Sequence, residues 1–437
     1  MSKSYWIETL GCAKNEVDSD KLGFRAASTG LRHAAKLSAA DVVVVNTCAF
    51  IEAAREESIS VVLDAIAVKK PGATVVVTGC MAERYRGELA AALPEVDIIA
   101  GFGEDFFAGL SPGDAREVKI GATRRKPRAI PAMDLDAGFD LLNLPVGATK
   151  RAYGYLKVAE GCDRKCGFCA IPSFRGAQRS RDFYDLLKEA EVLGAPEIIT
   201  IAQDLASYGK DLYGKKRLVE LLGELNAMVP WVRLLYIYPT ELNDELIDAI
   251  GSSRVNYFDL SLQHVSPTLL RRMRRVGSAE KYLERIASIR ASYPEAVFRS
   301  NFIVGYPGET EEDHDLLLEF LREARLDWVG FFAFSDEVGT FAHSLDAHLD
   351  AGLVTERLGE ASEVADPIIA AKRAAQVGRS LEVLIQSPGV ARSYMESPEI
   401  DGIIQVPKDL VTGKLYTVNV RDCDGIDLIA SLSEKAS

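Results

Sequence analysis

Three times in the first hundred residues an aliphatic run ends at a cysteine and gives way to a helix-like stretch: YWIETLGC, then DVVVVNTC, then TVVVTGC. The segments that follow, residues 15–27, 52–68 and 82–92, carry apolar residues at helical spacing. The pattern predicts βα units joined by right-handed crossovers, and hence a parallel sheet. Loops leaving the carboxyl ends of such strands share one edge of the sheet, where open α/β folds bind ligands. Cys12, Cys48 and Cys80 are therefore expected to converge.

Between about residues 121 and 144 both hydrophobic periods are lost in RRKPRAIPAMDLDAGFD, whose prolines and mixed charges suit a linker. Strand-like runs then recur near residues 153–159, 197–202, 232–238, 257–262, 297–304 and 328–334, alternating with helical stretches. Six such repeats predict a partial or complete β/α barrel with its active site at the carboxyl ends of the strands. A helical segment at 355–375 leads into LEVLIQ, GIIQV, YTVNV and DLIAS, short strand-like runs separated by turn residues. They predict a small antiparallel β-barrel. The expected fold class is α/β, divided as 1–125, a linker at 126–147, a barrel at 148–374 and the small β-barrel at 375–437.

Composition narrows the function classes. The 437 residues are 48% hydrophobic and 26% charged, as in an ordinary globular protein, and suffice for several buried cores. A net charge of −13 repels a phosphate backbone unless a local basic patch overcomes it, and suits a basic protein partner better. The amino terminus lacks a signal-peptide pattern, and aliphatic runs such as 42–45 are far too short to span a bilayer, so the expected location is cytoplasmic. Cytosolic thiols stay reduced, which points the seven cysteines towards metal ligation or catalysis.

The chemistry concentrates in GCDRKCGFC, where Cys162, Cys166 and Cys169 are spaced C-x3-C-x2-C after the first barrel strand. A cubane 4Fe-4S cluster normally takes four thiolates, so three leave one iron open. A zinc knuckle is the alternative, but it wants a fourth ligand close by, and no histidine lies near. In this setting the motif resembles the radical S-adenosylmethionine (SAM) superfamily, in which SAM chelates the open iron. Cys12, Cys48 and Cys80 have the competing reading of ordinary buried cysteines. Three at the same end of successive strands instead supply a second trio of thiolates. Cys423, in the strand-rich tail, has no partner close in sequence and is read as structural.

Across nearly the whole chain this order of domains resembles the methylthiotransferases: an N-terminal three-cysteine domain, a radical barrel and a C-terminal barrel of the TRAM type. GCDRKCGFCAIPSFRG, IAQDLASYG, LQHVSPTLLRRMRR, NFIVGYPGETEED and RSYMESPEIDG most resemble the branch that modifies an aspartate of ribosomal protein S-twelve. The branch acting on transfer RNA adenosine is the near neighbour. The resemblance implies two 4Fe-4S clusters, SAM, a 5'-deoxyadenosyl radical that takes hydrogen from the aspartate β-carbon, and sulfur supplied at the auxiliary cluster. It also implies an electron donor such as flavodoxin or ferredoxin. From Gly378 onward there are six basic and nine acidic residues, and an acidic tail suits a basic ribosomal protein better than RNA. A non-catalytic iron-sulfur redox sensor is the reading from another class, and it leaves the open irons without a use.

Phe168, by the same resemblance, packs against adenine. Gln203, Asp204, Arg299, Asn301 and Gly305 lie at or near barrel strand ends and are the other candidates for cofactor contact. Arg271, Arg272, Arg274 and Arg275 form a basic run, read as a solvated helix face rather than a docking patch. The five histidines show no metal-ligand spacing, and GYPGET lacks the lysine of a phosphate loop.

Overall fold

The computed structural model describes residues 3–108, 110 and 139–433. The expected linker falls largely outside them, at 126–138, as do residues 109 and 111–125 of the expected first domain. The chain forms two compact units: residues 1–147 with 170–177, and residues 148–169 with 178–437.

In the first unit β1 (Ser4–Thr9), β2 (Arg32–His33), β3 (Val42–Thr47), β4 (Thr74–Gly79) and β5 (Ile98–Ile99) make a parallel sheet in the order β2-β1-β3-β4-β5. Every residue of β3 is buried, because helices cover both faces of a doubly wound sheet. The order reverses between β1 and β3, the switch point at which such sheets open a crevice. Register aligns the strand ends: Thr9 stands beside Asn46, and Asn46 beside Thr78. The predicted helices form as Ala13–Ser28, Glu52–Val68 and Cys80–Ala92.

The second unit opens with β6 (Tyr153–Lys157), then a short hairpin of β7 (Ala159–Glu160) and β8 (Arg179–Ser180), then β9 (Glu197–Ile201) and β10 (Trp231–Leu234). It continues through β11 (Tyr257–Gln263), β12 (Val297–Val304) and β13 (Trp328–Ala333). Two three-stranded parallel sheets, β6-β9-β10 and β11-β12-β13, are joined by a single bridge between Ile237 and Leu260. The six strands thus follow one another in chain order, as a partial β/α barrel requires. The predicted run 232–238 stops early because Tyr236 takes a φ of 68°, which breaks the extended chain.

After the helix Ala351–Ala374 come β14 (Ser380–Ser387), β15 (Val390–Arg392), β16 (Ile404–Gln405), β17 (Leu415–Asp424) and β18 (Asp427–Leu432), which close in the order β14-β15-β16-β18-β17. The pairing is antiparallel as expected except between β16 and β18, which run parallel.

The loop RSYMESPEIDG, residues 392–402, lies against the amino-terminal ends of the barrel strands. Tyr153, first in β6, donates to Glu399 at 2.5 Å, and Tyr257, first in β11, donates to Asp401 at 2.6 Å. Trp328, first in β13, donates to the Met395 carbonyl at 2.6 Å. Glu197, first in β9, accepts from Arg233 at 2.9 Å and from Arg392 at 2.5 Å, all three side chains buried. The small barrel therefore stoppers the end of the β/α barrel opposite the cysteine loop. Arg392, Glu396 and Asp401 turn inward, which takes one base and two acids out of the tail's surface charge.

Candidate functional site

In the first unit each cysteine follows a strand on the aligned edge. Cys12 caps the helix Ala13–Ser28, Cys48 lies just beyond β3, and Cys80 begins the helix after β4. Gly11, at a φ of +93°, lets the chain pass Cys48: a Cβ there would stand 2.9 Å from the Cys48 sulfur. Asn15 ties the edge together by donating to the carbonyls of Leu10 (2.8 Å) and Thr47 (3.1 Å). Ser58 fixes Cys48, accepting from its N–H at 3.0 Å and donating to its carbonyl at 3.1 Å.

The segment after the second cysteine motif completes this edge. The helix Ile171–Arg175 belongs to the first unit, where Phe174 packs against the core beside Cys80 and Arg175 lies over the Phe102 ring at 4.2 Å. Arg175 pairs with buried Asp18 at 3.1 Å, and its Nη2 lies 2.8 Å from Asn15 Oδ1 and 3.0 Å from the Cys80 sulfur. Sequence reasoning passed over Arg175, although its place six residues after Cys169 was the available signal.

In the second unit Gly161, with φ +79°, turns the chain out of β7 into the loop of Cys162, Cys166 and Cys169. Backbone bonds hold the loop from behind: Gly167 donates to Met273 and accepts from Ala342, each at 2.8 Å. A Cβ on Gly167 would stand 2.8 Å from the Tyr306 hydroxyl, so the residue before Phe168 has to be small. Arg164 and Arg275 lie on the Tyr238 ring, 3.8 and 4.1 Å from its centroid, and the Arg164 N–H points to the Cys162 sulfur at 3.4 Å. Arg275 also approaches the Cys166 sulfur at 3.5 Å.

This corrects the solvated-face reading of the basic run for Arg272 and Arg275. The helix ends at Arg272, which donates to the Pro307 carbonyl at 3.0 Å, and Arg275 is buried beside the loop. Arg271 and Arg274 remain exposed, with Arg274 over the Phe341 ring. Charge density alone did not show that the helix stops within the run.

The other candidates divide. Gln203 donates to Glu160, which also pairs with buried Lys157 at 2.5 Å, and the Gln203 Oε1 is buried with no partner among the described residues. Asn301 likewise holds a buried Oδ1 without a partner among the described residues, on β12 opposite Gly330. Asp204 is engaged by Arg164 at 2.7 Å and Ser207 at 2.8 Å, so it braces the cysteine loop. Arg299 spans Asp259 (3.2 Å) and Asp401 (3.4 Å), towards the tail. Gly305, with φ +82°, is packed under Val354, and its N–H is held by Glu309 at 2.7 Å. Phe168 is half-buried.

Burial pushes the Cys48 and Cys162 thiols up to about 11 and raises Cys80, so at neutral pH these thiols stay protonated until a cation compensates them. Bound iron does this, since a coordinating thiol is deprotonated outright. Among the described residues no three Cys, His, Asp or Glu side chains stand as ligands of one metal ion. A cubane asks for something different, because each thiolate meets a separate iron. The donor chemistry fits such a group, and the orphaned acceptors of Gln203 and Asn301 fit a ligand that brings amino or hydroxyl donors.

Comparison with known proteins agrees with this architecture. Residues 4–101 match the family described as Uncharacterized protein family UPF0004, residues 156–321 the radical SAM superfamily and residues 377–432 the TRAM domain. A solved radical SAM methyltransferase, TsrM from Kitasatospora setae, shares the fold with a TM-score of 0.53 at 13% identity, over 85% of this chain and 90% of that one. The ribosomal protein uS12 methylthiotransferase RimO of Cutibacterium acnes is 39% identical over 97% of each chain. That of Saccharopolyspora erythraea is 40% identical over 98% of this chain and 95% of its own. Sharing the three domains in order and two residues in five over almost its whole length, the chain belongs to the radical SAM methylthiotransferases of the ribosomal protein uS12 type.

Proposed function

We propose that the protein inserts a methylthio group at the β-carbon of an aspartate of ribosomal protein uS12. The observation that carries the reading is a pair of cysteine trios, each at the carboxyl edge of a parallel sheet in its own compact unit. When bound, a 4Fe-4S cluster on Cys162, Cys166 and Cys169 would supply the electron for homolytic cleavage of SAM, and one on Cys12, Cys48 and Cys80 would hold the sulfur species that is transferred.

The chain's own side chains hold and shield these groups. Arg275 places positive charge beside the Cys166 thiolate, the Arg164 backbone N–H is directed at the Cys162 sulfur, and Gly167 keeps the loop pressed to its backing. Gln203 and Asn301 accept from SAM, Phe168 packs on its adenine, and Gly305 shapes the adjoining turn. Asp204 and Arg299 set the positions of the cysteine loop and of the barrel end away from it. Residues 1–125, 148–374 and 375–437 serve as the auxiliary-cluster, radical and TRAM-like domains, linked by 126–147. The reaction takes place in the cytoplasm, with electrons from a donor of the flavodoxin or ferredoxin type. Among the described residues no helix is long and apolar enough to cross a membrane.

Incubating the anaerobically reconstituted protein with dithionite, SAM and either uS12 or transfer RNA tests the reading. The expected result is 5'-deoxyadenosine, methionine and a methylthio mass increase on an aspartate of uS12. Modification of the RNA instead assigns the other substrate, and absence of SAM cleavage defeats the proposal.

A further inference from the structure

Arg175 is a long cation in a buried place: its side chain is 3% exposed and that of its partner Asp18 1%. Asp18 balances the charge through Nη1, while Nη2 is directed at Asn15 Oδ1 and at the Cys80 sulfur, 3.0 Å away. A neutral donor would suffice to satisfy Asn15. An arginine held there by a carboxylate carries a positive charge to the sulfur as well.

We infer that Arg175 is a positioning residue for the auxiliary cluster, donating to the Cys80 thiolate and setting the cluster's reduction potential with its charge. The inference rests on the reading that Cys12, Cys48 and Cys80 hold a cluster. Hydrogen bonds to sulfur and nearby positive charge both favour the more negative, reduced state, so they raise the potential. The arrangement lies wholly in the first unit, to which residues 170–177 belong. Its effect is therefore read on that unit's cluster alone.

The test uses the full-length protein with Cys162, Cys166 and Cys169 replaced by alanine, so that one cluster remains, titrated with reductant and followed by electron paramagnetic resonance. Arg175→Met and Arg175→Gln are expected to lower the midpoint potential relative to the parent, and Arg175→Lys to restore most of the shift. A parental potential in Arg175→Met, or a lysine variant no better than methionine, overturns the inference. Should Arg175→Met shed iron because Asp18 loses its pair with Arg175, the Asp18→Asn/Arg175→Met variant takes its place with the same expected shift. Loss of iron there too makes Arg175 a requirement for folding and overturns the assignment. If the parent shows no iron-sulfur signal that depends on Cys80, the reading of a second cluster fails instead.

Discussion

Arg392, on the last strand before the loop that stoppers the barrel, sets its Nη2 2.5 Å from Oε2 of Glu197, the first residue of β9, and neither side chain meets solvent. The two are 195 residues apart in sequence. Arg233 holds the other Glu197 oxygen, so one carboxylate balances two guanidinium groups at the barrel's closed end.

Removing one partner of such a buried pair leaves a charge without compensation, at a cost of about 3 to 5 kcal/mol. Glu197→Ala, which strips both buried guanidinium groups of their shared counter-charge, is expected to lose that much in denaturant unfolding. Arg392→Met/Glu197→Gln is expected to lose less than the sum of its single changes, which a double-mutant cycle measures.

Two buried groups impose opposite pH dependences on the second unit. Burial pushes the Asp401 carboxyl from 3.8 up to about 6, with Arg299 opposing the shift, so its contribution to stability is present at low pH and lost as pH rises from about 4 to 6. Burial brings His264 from 6.5 down to about 4, so its contribution is present above about 6.5 and lost as pH falls towards 4. In the parent the two slopes oppose each other. Thermal unfolding of Asp401→Asn should show stability falling on acidification through this window, and His264→Gln should show it rising, each by on the order of 2 to 3 kcal/mol.

Asp204 acts on the cysteine loop through Arg164. Asp204→Asn is expected to leave the fold intact and to speed the loss of barrel iron to a chelator about tenfold, as changes behind a ligand set commonly do. Iron release followed optically in protein lacking the first cysteine trio measures this, and an unchanged rate would remove Asp204 from the bracing role.

The two trios should separate by function. Replacing Cys12, Cys48 and Cys80 together with alanine is expected to keep release of 5'-deoxyadenosine and abolish sulfur insertion, whereas replacing Cys162, Cys166 and Cys169 abolishes both. Quantifying 5'-deoxyadenosine beside modified uS12 checks both.

The sheet of the first unit was legible because its signal is local: each cysteine sits just past an aliphatic run, and the strand ends are aligned by the register those runs dictate. The six barrel strands were legible for the same reason. What escaped was decided at long range. Nothing near Asp204 in sequence shows that Arg164 takes its carboxylate, and nothing near Arg299 announces Asp401. RSYMESPEIDG carried a resemblance, but its place at the barrel's end depends on Tyr153, Tyr257 and Trp328, which a linear pattern presents as core aromatics.

The return of residues 170–177 to the first unit has a consequence for how the molecule is made. A growing chain releases residues 1–147 from the ribosome with a gap in that unit's packing where Phe174 belongs, and before Arg175 can pair with Asp18. The gap is filled only after Cys162, Cys166 and Cys169 have also emerged. Synthesis thus completes the auxiliary edge only once the barrel's cysteines have also been translated, while their loop still awaits Met273, Arg275 and Ala342 behind it.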